Sequence, residues 1–196
     1  MAKIVISEFL TLDGVMQAPG DPNEDRTGGF DQGGWQLKYF DEAFGQFVTR
    51  GFEEADALLL GRRTYDIFAA YWPNAAADDP IGDTMNGFRK YVVSRSLTEP
   101  LTWQNSTLIK GDVPAAIAKL KAEPGKDIQV IGSGDLAQTL MEHDLVDEYR
   151  LMIHPLVLGK GKRLFRDETA LTRLRLVASS ATTTGVLLLT YVPAGA

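Results

Sequence analysis

The 196-residue sequence contains no cysteine. This absence excludes disulfide bonds, thiol nucleophiles, iron–sulfur clusters and cysteine-ligated zinc. Only two histidines are present, His143 and His154, so a multi-histidine metal site cannot be built and we expect no metal. A serine–histidine–aspartate triad would depend on one of these two residues.

Long hydrophobic runs and an excess of positive charge are also missing. The apolar run 186–189 is far too short to span a bilayer, and Ser7 and Glu8 interrupt the apolar start of the chain too early for a signal peptide. Twenty Lys and Arg stand against 26 Asp and Glu, a net charge of −6 that disfavours binding to nucleic acid. We therefore expect a cytoplasmic protein with neither a membrane nor a nucleic-acid partner.

Strand-like and helix-like segments alternate along about three quarters of the chain, and strands alone follow. This order predicts an α/β fold with a mostly parallel sheet and an antiparallel C-terminal hairpin. No linker, repeat or charge block divides the chain, so we expect one domain over residues 1–196. The predicted strands are 3–10, 57–60, 90–94, 108–109, 128–131, 147–158, 174–181 and 186–192. The predicted helices are 40–52, 64–71, 113–121 and 135–142.

Two stretches between these segments are predicted to be loops. Residues 17–35 are mostly Gly, Asp, Pro, Asn and Gln, and a loop of this length is usually a lid, a binding loop or disordered. Residues 74–83 form a shorter polar stretch, which we expect to be irregular.

The motif Gly61-Arg62-Arg63-Thr64 lies between a buried strand and a helix. A helix N-terminus at the carboxyl end of a strand attracts phosphate, and two adjacent arginines add bidentate donors. Such a fork suits a ribose 2′-phosphate and would favour NADP over NAD. The alternative is an exposed basic turn in which Gly61 serves only chain reversal. Thr64 is expected to cap the helix.

A second motif, Gly132-Ser133-Gly134-Asp135, follows a strand and precedes a helix, as the dinucleotide pattern G-x-G-x-x-G/A requires. It comes too late in the chain for a standard Rossmann fingerprint, which we reject. The glycines could let the backbone approach a pyrophosphate, and the alternative is an ordinary strand–helix turn. Asp135 is the expected N-cap. A hydrolase that uses Ser133 is excluded by the spacing of the motif and the poor choice of histidines.

Ser94 and Arg95 end a third strand. If that strand lies parallel beside residues 57–60, both residues emerge at the same sheet edge as Arg62 and Arg63 and could bind one phosphate jointly. A solvated strand end is the alternative. His154, just before Pro155, is interpreted as a hydrogen-bonded strand residue rather than a base.

Five segments, 9–14, 59–65, 93–95, 130–134 and 154–161, together resemble the dihydrofolate-reductase-like superfamily. The resemblance spans nearly the whole chain. It is closest to the branch that contains the C-terminal reductase domain of the bifunctional riboflavin-biosynthesis deaminase–reductase and its stand-alone relatives. The most specific parts are the Leu12-Asp13-Gly14 turn and segment 155–161, Pro-Leu-Val-Leu-Gly-Lys-Gly.

The resemblance implies a three-layer fold with eight or nine strands, helices on both sheet faces, NADPH across the carboxyl edge, and a homodimer. Asp13 is then the candidate catalytic residue, supplying a proton if water does not. The substrate pocket would be lined by Asp13, Gly14, Trp35 and Phe40, with loop 17–35 as its cover. The implied cofactor-binding residues are Gly61, Arg62, Arg63, Thr64, Ser94, Arg95, Gly132, Ser133, Gly134, Asp135 and Leu136.

Two departures from the resemblance bear on the substrate. Dihydrofolate reductase carries a proton-delivering carboxylate in its first long helix, and the matching position here lies near Gly45, which argues against folate. The riboflavin enzyme has an arginine after its Asp-Pro segment, but Asp79-Pro80 is followed by none in register. We expect an NADPH-dependent reductase of a small heterocycle, such as a 5-amino-6-(5-phosphoribosylamino)uracil-type pyrimidine. The alternative is a non-catalytic NADP-binding dimeric scaffold or regulator.

Overall fold

A computed structural model describes residues 1–76, 78–167, 169 and 171–195. Within these residues the chain forms eight strands and five α-helices. The strands are β1 (Ile4–Thr11), β2 (Ala55–Gly61), β3 (Arg89–Val93), β4 (Ser106–Ile109), β5 (Asp127–Val130), β6 (Glu148–His154), β7 (Leu174–Ala181) and β8 (Leu187–Pro193). The helices are α1 (Glu42–Glu54), α2 (Arg62–Tyr71), α3 (Pro80–Gly87), α4 (Val113–Ala122) and α5 (Gly134–Glu142).

All eight strands belong to one sheet in the order β4-β3-β2-β5-β1-β6-β8-β7. The six strands from β4 to β6 are parallel to their neighbours, whereas β8 runs antiparallel to both β6 and β7. The predicted α/β fold, mostly parallel with an antiparallel C-terminal hairpin, is therefore confirmed. Because β2, β5 and β1 are adjacent and parallel, the loops that leave them lie at one edge of the sheet.

Helices cover both faces of the sheet, which gives three layers. Side chains alternate along β2, so Ala57 and Leu59 pack on the face covered by α4 and α5, while Leu58 packs on the opposite face. That opposite face is covered by α1, α2 and α3. A strand whose two faces are both buried reads as a continuous apolar run, as residues 57–60 do.

One helix lies where the sequence predicted an irregular loop. Helix α3 begins at Pro80, and the Asp79 side chain accepts hydrogen bonds from the N–H groups of Ile81 and Gly82. An aspartate N-cap followed by proline at the first helical position is a start signal, which the polar composition of the segment obscured. The helix is eight residues long, and Phe88 is its C-cap.

Two predicted helix starts are also wrong. Helix α2 begins at Arg62, so Thr64 lies within its first turn and does not cap it. The N-cap of α5 is Ser133, and Asp135 belongs to the first turn of that helix.

The long loop 17–35 packs against the sheet edge through its own small core. Phe30 and Trp35 are buried together with Val15 and Ala18, and the Trp35 indole N–H donates to the carbonyl of Gln17 over 2.8 Å. The loop is thus closed on itself and held over the ends of β1 and β6. In the described part of the chain, no helix is both long and apolar enough to cross a membrane.

Candidate functional site

Two glycine-containing turns meet where β2 and β5 end. The backbone N–H of Gly61 donates to the hydroxyl of Ser133 over 2.9 Å, and the backbone N–H of Ser133 donates to the hydroxyl of Thr64 over 2.9 Å. We call residues 61–64 and 132–134 together the cradle. The prediction that these two turns belong to one parallel sheet is confirmed, since β2 and β5 are neighbouring parallel strands.

The second turn of the cradle requires a left-handed backbone. Gly132 has a φ of +59° and Ser133 a φ of +58°. A Cβ placed on Gly132 would lie 2.9 Å from the Thr64 hydroxyl, closer than real Cβ contacts allow. Glycine is therefore needed at 132 for two independent reasons, backbone conformation and space.

The helices that start at the cradle differ from the others in their N-termini. Helices α1, α3 and α4 each begin with an aspartate cap, Asp41, Asp79 or Asp112. Neither α2 nor α5 has a side-chain cap, so their first N–H groups are available to an anion. Asp135 would oppose an anion at α5, but it forms an ion pair of 2.7 Å with Arg166.

The two arginines of the cradle are exposed and point to different partners. Arg62 donates to the Ser96 hydroxyl and pairs with Asp66 at 3.3 Å. Arg63 donates to the Thr27 hydroxyl over 3.1 Å, which ties α2 to the long loop 17–35. A ligand that recruits both guanidinium groups would have to replace these contacts.

Two of the predicted cofactor residues, Ser94 and Leu136, have side chains that do not face the cradle, whereas Arg95 is exposed as expected. Ser94 is buried, and its hydroxyl accepts from the N–H groups of Ser96 and Leu97, so it shapes the turn instead of facing a ligand. Arg95 is exposed at that turn. Leu136 is buried in the core beneath α5, so only its backbone is near the cradle.

Asp13 is held by a set of hydrogen-bond donors that fix the turn after β1. Its carboxylate accepts from the Thr11 hydroxyl at 2.6 Å and from the N–H groups of Gly159 and Leu158 at 2.8 and 3.2 Å. Burial raises the pKa of Asp13, but these hydrogen bonds outweigh it and lower the pKa to about 2. A carboxylate so strongly ionised is a poor acid near neutral pH, which argues against Asp13 as the proton donor.

The remaining predicted substrate residues lie on the α1 side of the sheet edge. Gly14 has a φ of +77° and turns the chain after Asp13. Trp35 is buried and packs edge-on against His154 with 5.0 Å between ring centroids. Phe40 is exposed and packs against Phe44 at 5.5 Å, so these aromatic rings fill the space that the sequence assigned to a substrate.

Sequence reasoning missed the buried carboxyl group of Glu8 beside these turns and the unpaired ring nitrogen of His154. Glu8 on β1 is 4% exposed, accepts a hydrogen bond from the Gly132 backbone, and has one carboxyl oxygen without a partner. Burial raises the pKa of Glu8 well above its usual value. His154 was correctly interpreted as a hydrogen-bonded strand residue, but its second ring nitrogen is buried without a partner. A charged residue within an apolar strand was the available signal for Glu8.

Comparison with known proteins identifies the relatives of this chain. The family model described as the RibD C-terminal domain matches residues 2–188. The chain belongs to the RibD C-terminal domain family. The predicted relationship to the reductase domain of riboflavin biosynthesis is thereby confirmed. Within the curated proteins, the uncharacterized protein YyaP of Bacillus subtilis is 31% identical over 192 residues, which cover 96% of this chain and 94% of YyaP.

Solved structures of similar proteins share the fold of this family member. A putative riboflavin biosynthesis protein from Shewanella sp. PV-4 has a TM-score of 0.70 and 23% identity, with full coverage of both chains. A pyrimidine reductase-like protein from Corynebacterium diphtheriae has a TM-score of 0.69 and 13% identity, covering 100% of this chain and 93% of its own. At these identities the similarity establishes the common architecture.

Proposed function

We propose that this protein is an NADPH-dependent reductase that transfers a hydride to a small heterocyclic substrate of the aminopyrimidine class. The observation that carries the proposal is the cradle, in which Gly61 and Thr64 on one side are hydrogen-bonded to Ser133 on the other at the carboxyl edge of a parallel sheet. Membership of the RibD C-terminal domain family supports a reductase. The names of the Shewanella and Corynebacterium proteins support a substrate of riboflavin-pathway or pyrimidine type.

The residues of the cradle fit a dinucleotide phosphate. Gly132 keeps the backbone free of a Cβ, and the uncapped N-termini of α2 and α5 supply N–H groups for phosphate oxygens. Arg62 and Arg63 add two exposed guanidinium groups beside Thr64, where a 2′-phosphate could be held. When bound, NADPH would supply the hydride, and the protein would supply binding and orientation.

The remaining roles are the shape of the site, the source of the proton and the cover over the sheet edge. Asp13 fixes the turn after β1 through three donors and stays ionised, so its role is to hold the site's shape. The proton that accompanies hydride transfer is then assigned to water, the second source considered from the sequence. Loop 17–35 covers the edge and contacts the cradle through Arg63 and Thr27.

A non-catalytic NADP-binding scaffold is the second candidate function, and one observation favours it. Hydrogen bonds lower the pKa of Asp13, the acid predicted to deliver the proton, to about 2, so it is ionised near neutral pH. A homodimer fits both candidates, because β7 is an edge strand with Leu176 and Val177 about half exposed. Consumption of NADPH with aminopyrimidine substrates separates the two, since a scaffold binds the cofactor without turnover.

The test of the cofactor assignment is calorimetric titration of Arg63→Ala with NADPH and with NADH. A charge-assisted contact that exists only for the 2′-phosphate is worth about 1.5–3 kcal/mol, so the variant should bind NADPH about 10- to 150-fold more weakly and NADH almost unchanged. Arg50→Ala is the matched control, because Arg50 is an exposed arginine of α1 that pairs with Glu54 and lies outside the cradle. Equal affinities of the unaltered protein for NADPH and NADH would remove the basis of the assignment.

A further inference from the structure

His154 ends β6 on the sheet face covered by α1. Its Cα is paired with that of Thr11 on β1, the residue whose hydroxyl donates to Asp13. The side chain is fully buried, with 0% exposure. The imidazole therefore lies directly beneath the turn that the resemblance assigns to the substrate pocket.

The hydrogen bonds of the ring fix which nitrogen carries the proton. Nδ1 lies 3.0 Å from the carbonyl oxygen of Met152 and 3.2 Å from that of Leu10. Carbonyl oxygens only accept hydrogen bonds, so Nδ1 must donate and Nε2 must present a lone pair. Burial lowers the pKa of His154, which keeps the ring neutral near pH 7. Nε2 is thus an acceptor, and it has no partner.

Four aromatic rings surround the imidazole. The centroids of Trp35, Tyr39, Phe44 and Phe9 lie 5.0, 5.6, 5.7 and 6.1 Å from that of His154, with interplanar angles between 67° and 84°. We call these four rings the aromatic cage. Flat apolar walls around one directed acceptor are the features that bind a planar ring carrying an N–H donor. A buried acceptor without such a donor is unfavourable.

One side of the aromatic cage is a thin segment at the protein surface. Residues 35–40 contribute Trp35 and Tyr39 to the cage, whereas Leu37 and Phe40 in the same segment are each 57% exposed. The amide oxygen of Gln36 is a second buried acceptor without a partner in this segment. The segment connects the long loop to α1, so its displacement would open the cage without disturbing the sheet.

We propose that Nε2 of His154 is the substrate-binding acceptor of this protein, and that it takes an N–H donor of a planar nitrogen heterocycle seated among the rings of the aromatic cage. The inference rests on the proposed reductase function and names the contact that selects its substrate. His154 is a binding residue here and transfers no proton. Segment 35–40 shifts outward to admit the ring, so that Trp35 and Tyr39 then lie against the bound heterocycle.

The experiment uses uracil, which has two ring N–H donors, and 1,3-dimethyluracil, which has the same ring and none. Each is titrated into ¹⁵N-histidine-labelled protein with and without saturating NADPH, and the Nε2 resonance is followed by NMR. The chain has only two histidines, so His143→Gln assigns the spectrum, and the exposed His143 serves as internal reference. We expect uracil, but not its dimethyl derivative, to move the His154 Nε2 resonance while that of His143 stays fixed.

Two variants complete the test. His154→Phe keeps an aromatic ring in the cage and removes the acceptor, so uracil affinity should fall about tenfold. His154→Gln retains an acceptor and should recover part of that loss, and its binding is measured alone if the phenylalanine variant does not fold. NADPH affinity should be unchanged in both variants.

Several results would overturn the inference. These are equal binding of uracil and 1,3-dimethyluracil, unaltered uracil binding by a folded His154→Phe variant, uracil binding by His154→Gln no stronger than that by a folded His154→Phe, or no uracil binding by protein that binds NADPH. In each case the proposed cofactor chemistry stands. Failure of NADPH to bind, with uracil moving the Nε2 resonance, would instead remove the reductase function and leave the aromatic cage as a heterocycle site.

Discussion

Replacement of Gly132 by alanine tests whether the cradle is a structural unit. The added Cβ occupies a backbone of φ +59° and lies 2.9 Å from the Thr64 hydroxyl and 3.2 Å from its methyl group. A left-handed conformation costs a non-glycine residue about 1–2 kcal/mol. If Thr64 moves away, the 2.9 Å hydrogen bond from Ser133 N–H is lost, for about another 0.5–1.5 kcal/mol.

The two costs together predict that Gly132→Ala lowers the free energy of unfolding by about 1.5–3.5 kcal/mol. Gly111→Ala is the matched control, since Gly111 has a φ of +79° but no atom within 4 Å of its added Cβ. The control should therefore show the backbone cost alone. Urea unfolding of both variants measures the difference, and calorimetry should show that only Gly132→Ala weakens NADPH and NADH alike.

The close contact itself is isolated by a double variant. Thr64→Ala removes both atoms that the new Cβ would meet, so Gly132→Ala with Thr64→Ala should be less destabilised than the sum of the single changes. Equal destabilisation by Gly132→Ala and Gly111→Ala, or strict additivity in the double variant, would refute the reasoning from close packing in the cradle.

Three further predictions concern buried ionisable groups. Burial lowers the pKa of Lys90 to about 8, so as the pH rises the folded protein loses the Lys90 proton before the unfolded chain does. The free energy of unfolding should therefore rise by about 1 kcal/mol between pH 8 and 9. Urea melts of Lys90→Met should lack that rise. The raised pKa of Glu8 keeps its carboxyl protonated in the folded protein at a pH where the same group ionises in the unfolded chain. Glu8→Gln should therefore increase the melting temperature at pH 7 but hardly at pH 4. An equal increase at both pH values would contradict the raised pKa. Asp13→Asn replaces the charged carboxylate that accepts hydrogen bonds from three donors, so it should lower the free energy of unfolding by about 1–3 kcal/mol. An unchanged denaturant midpoint would show that these hydrogen bonds contribute nothing to stability.

The sheet was predictable because its signals are local. A continuous apolar run such as 57–60 marks a strand buried on both faces, and the change from alternating strands and helices to strands alone marks the antiparallel end. Helix α3 escaped prediction for an equally local reason. It spans eight residues, two of them glycine, so apolar periodicity had little length over which to appear.

The candidate site was only partly predictable because its decisive contacts join distant parts of the chain. The Gly61 and Ser133 turns were identified separately, but their mutual hydrogen bonds depend on β2 and β5 being neighbours. Two of the three donors that hold Asp13 ionised are the N–H groups of Leu158 and Gly159, about 145 positions further along the chain. No composition or spacing rule reports such partners, so the sequence alone gave no sign that the Asp13 carboxylate accepts hydrogen bonds from this distant segment.

The long loop links the two ends of the candidate site. Thr27 contacts Arg63 on the proposed cofactor side, and Trp35 packs against His154 on the proposed substrate side. The loop is also internally tied by the bond from Trp35 to the Gln17 carbonyl. While the guanidinium group of Arg63 donates to Thr27, it cannot form two hydrogen bonds to a phosphate through the same N–H groups. Cofactor binding and the position of this loop therefore compete for that guanidinium group. Thr27→Val would remove that acceptor and leave only the longer 3.8 Å ion pair of Arg63 with Asp25 among the described contacts of Arg63 to this loop, so it should strengthen NADPH binding if the arginine assignment is correct.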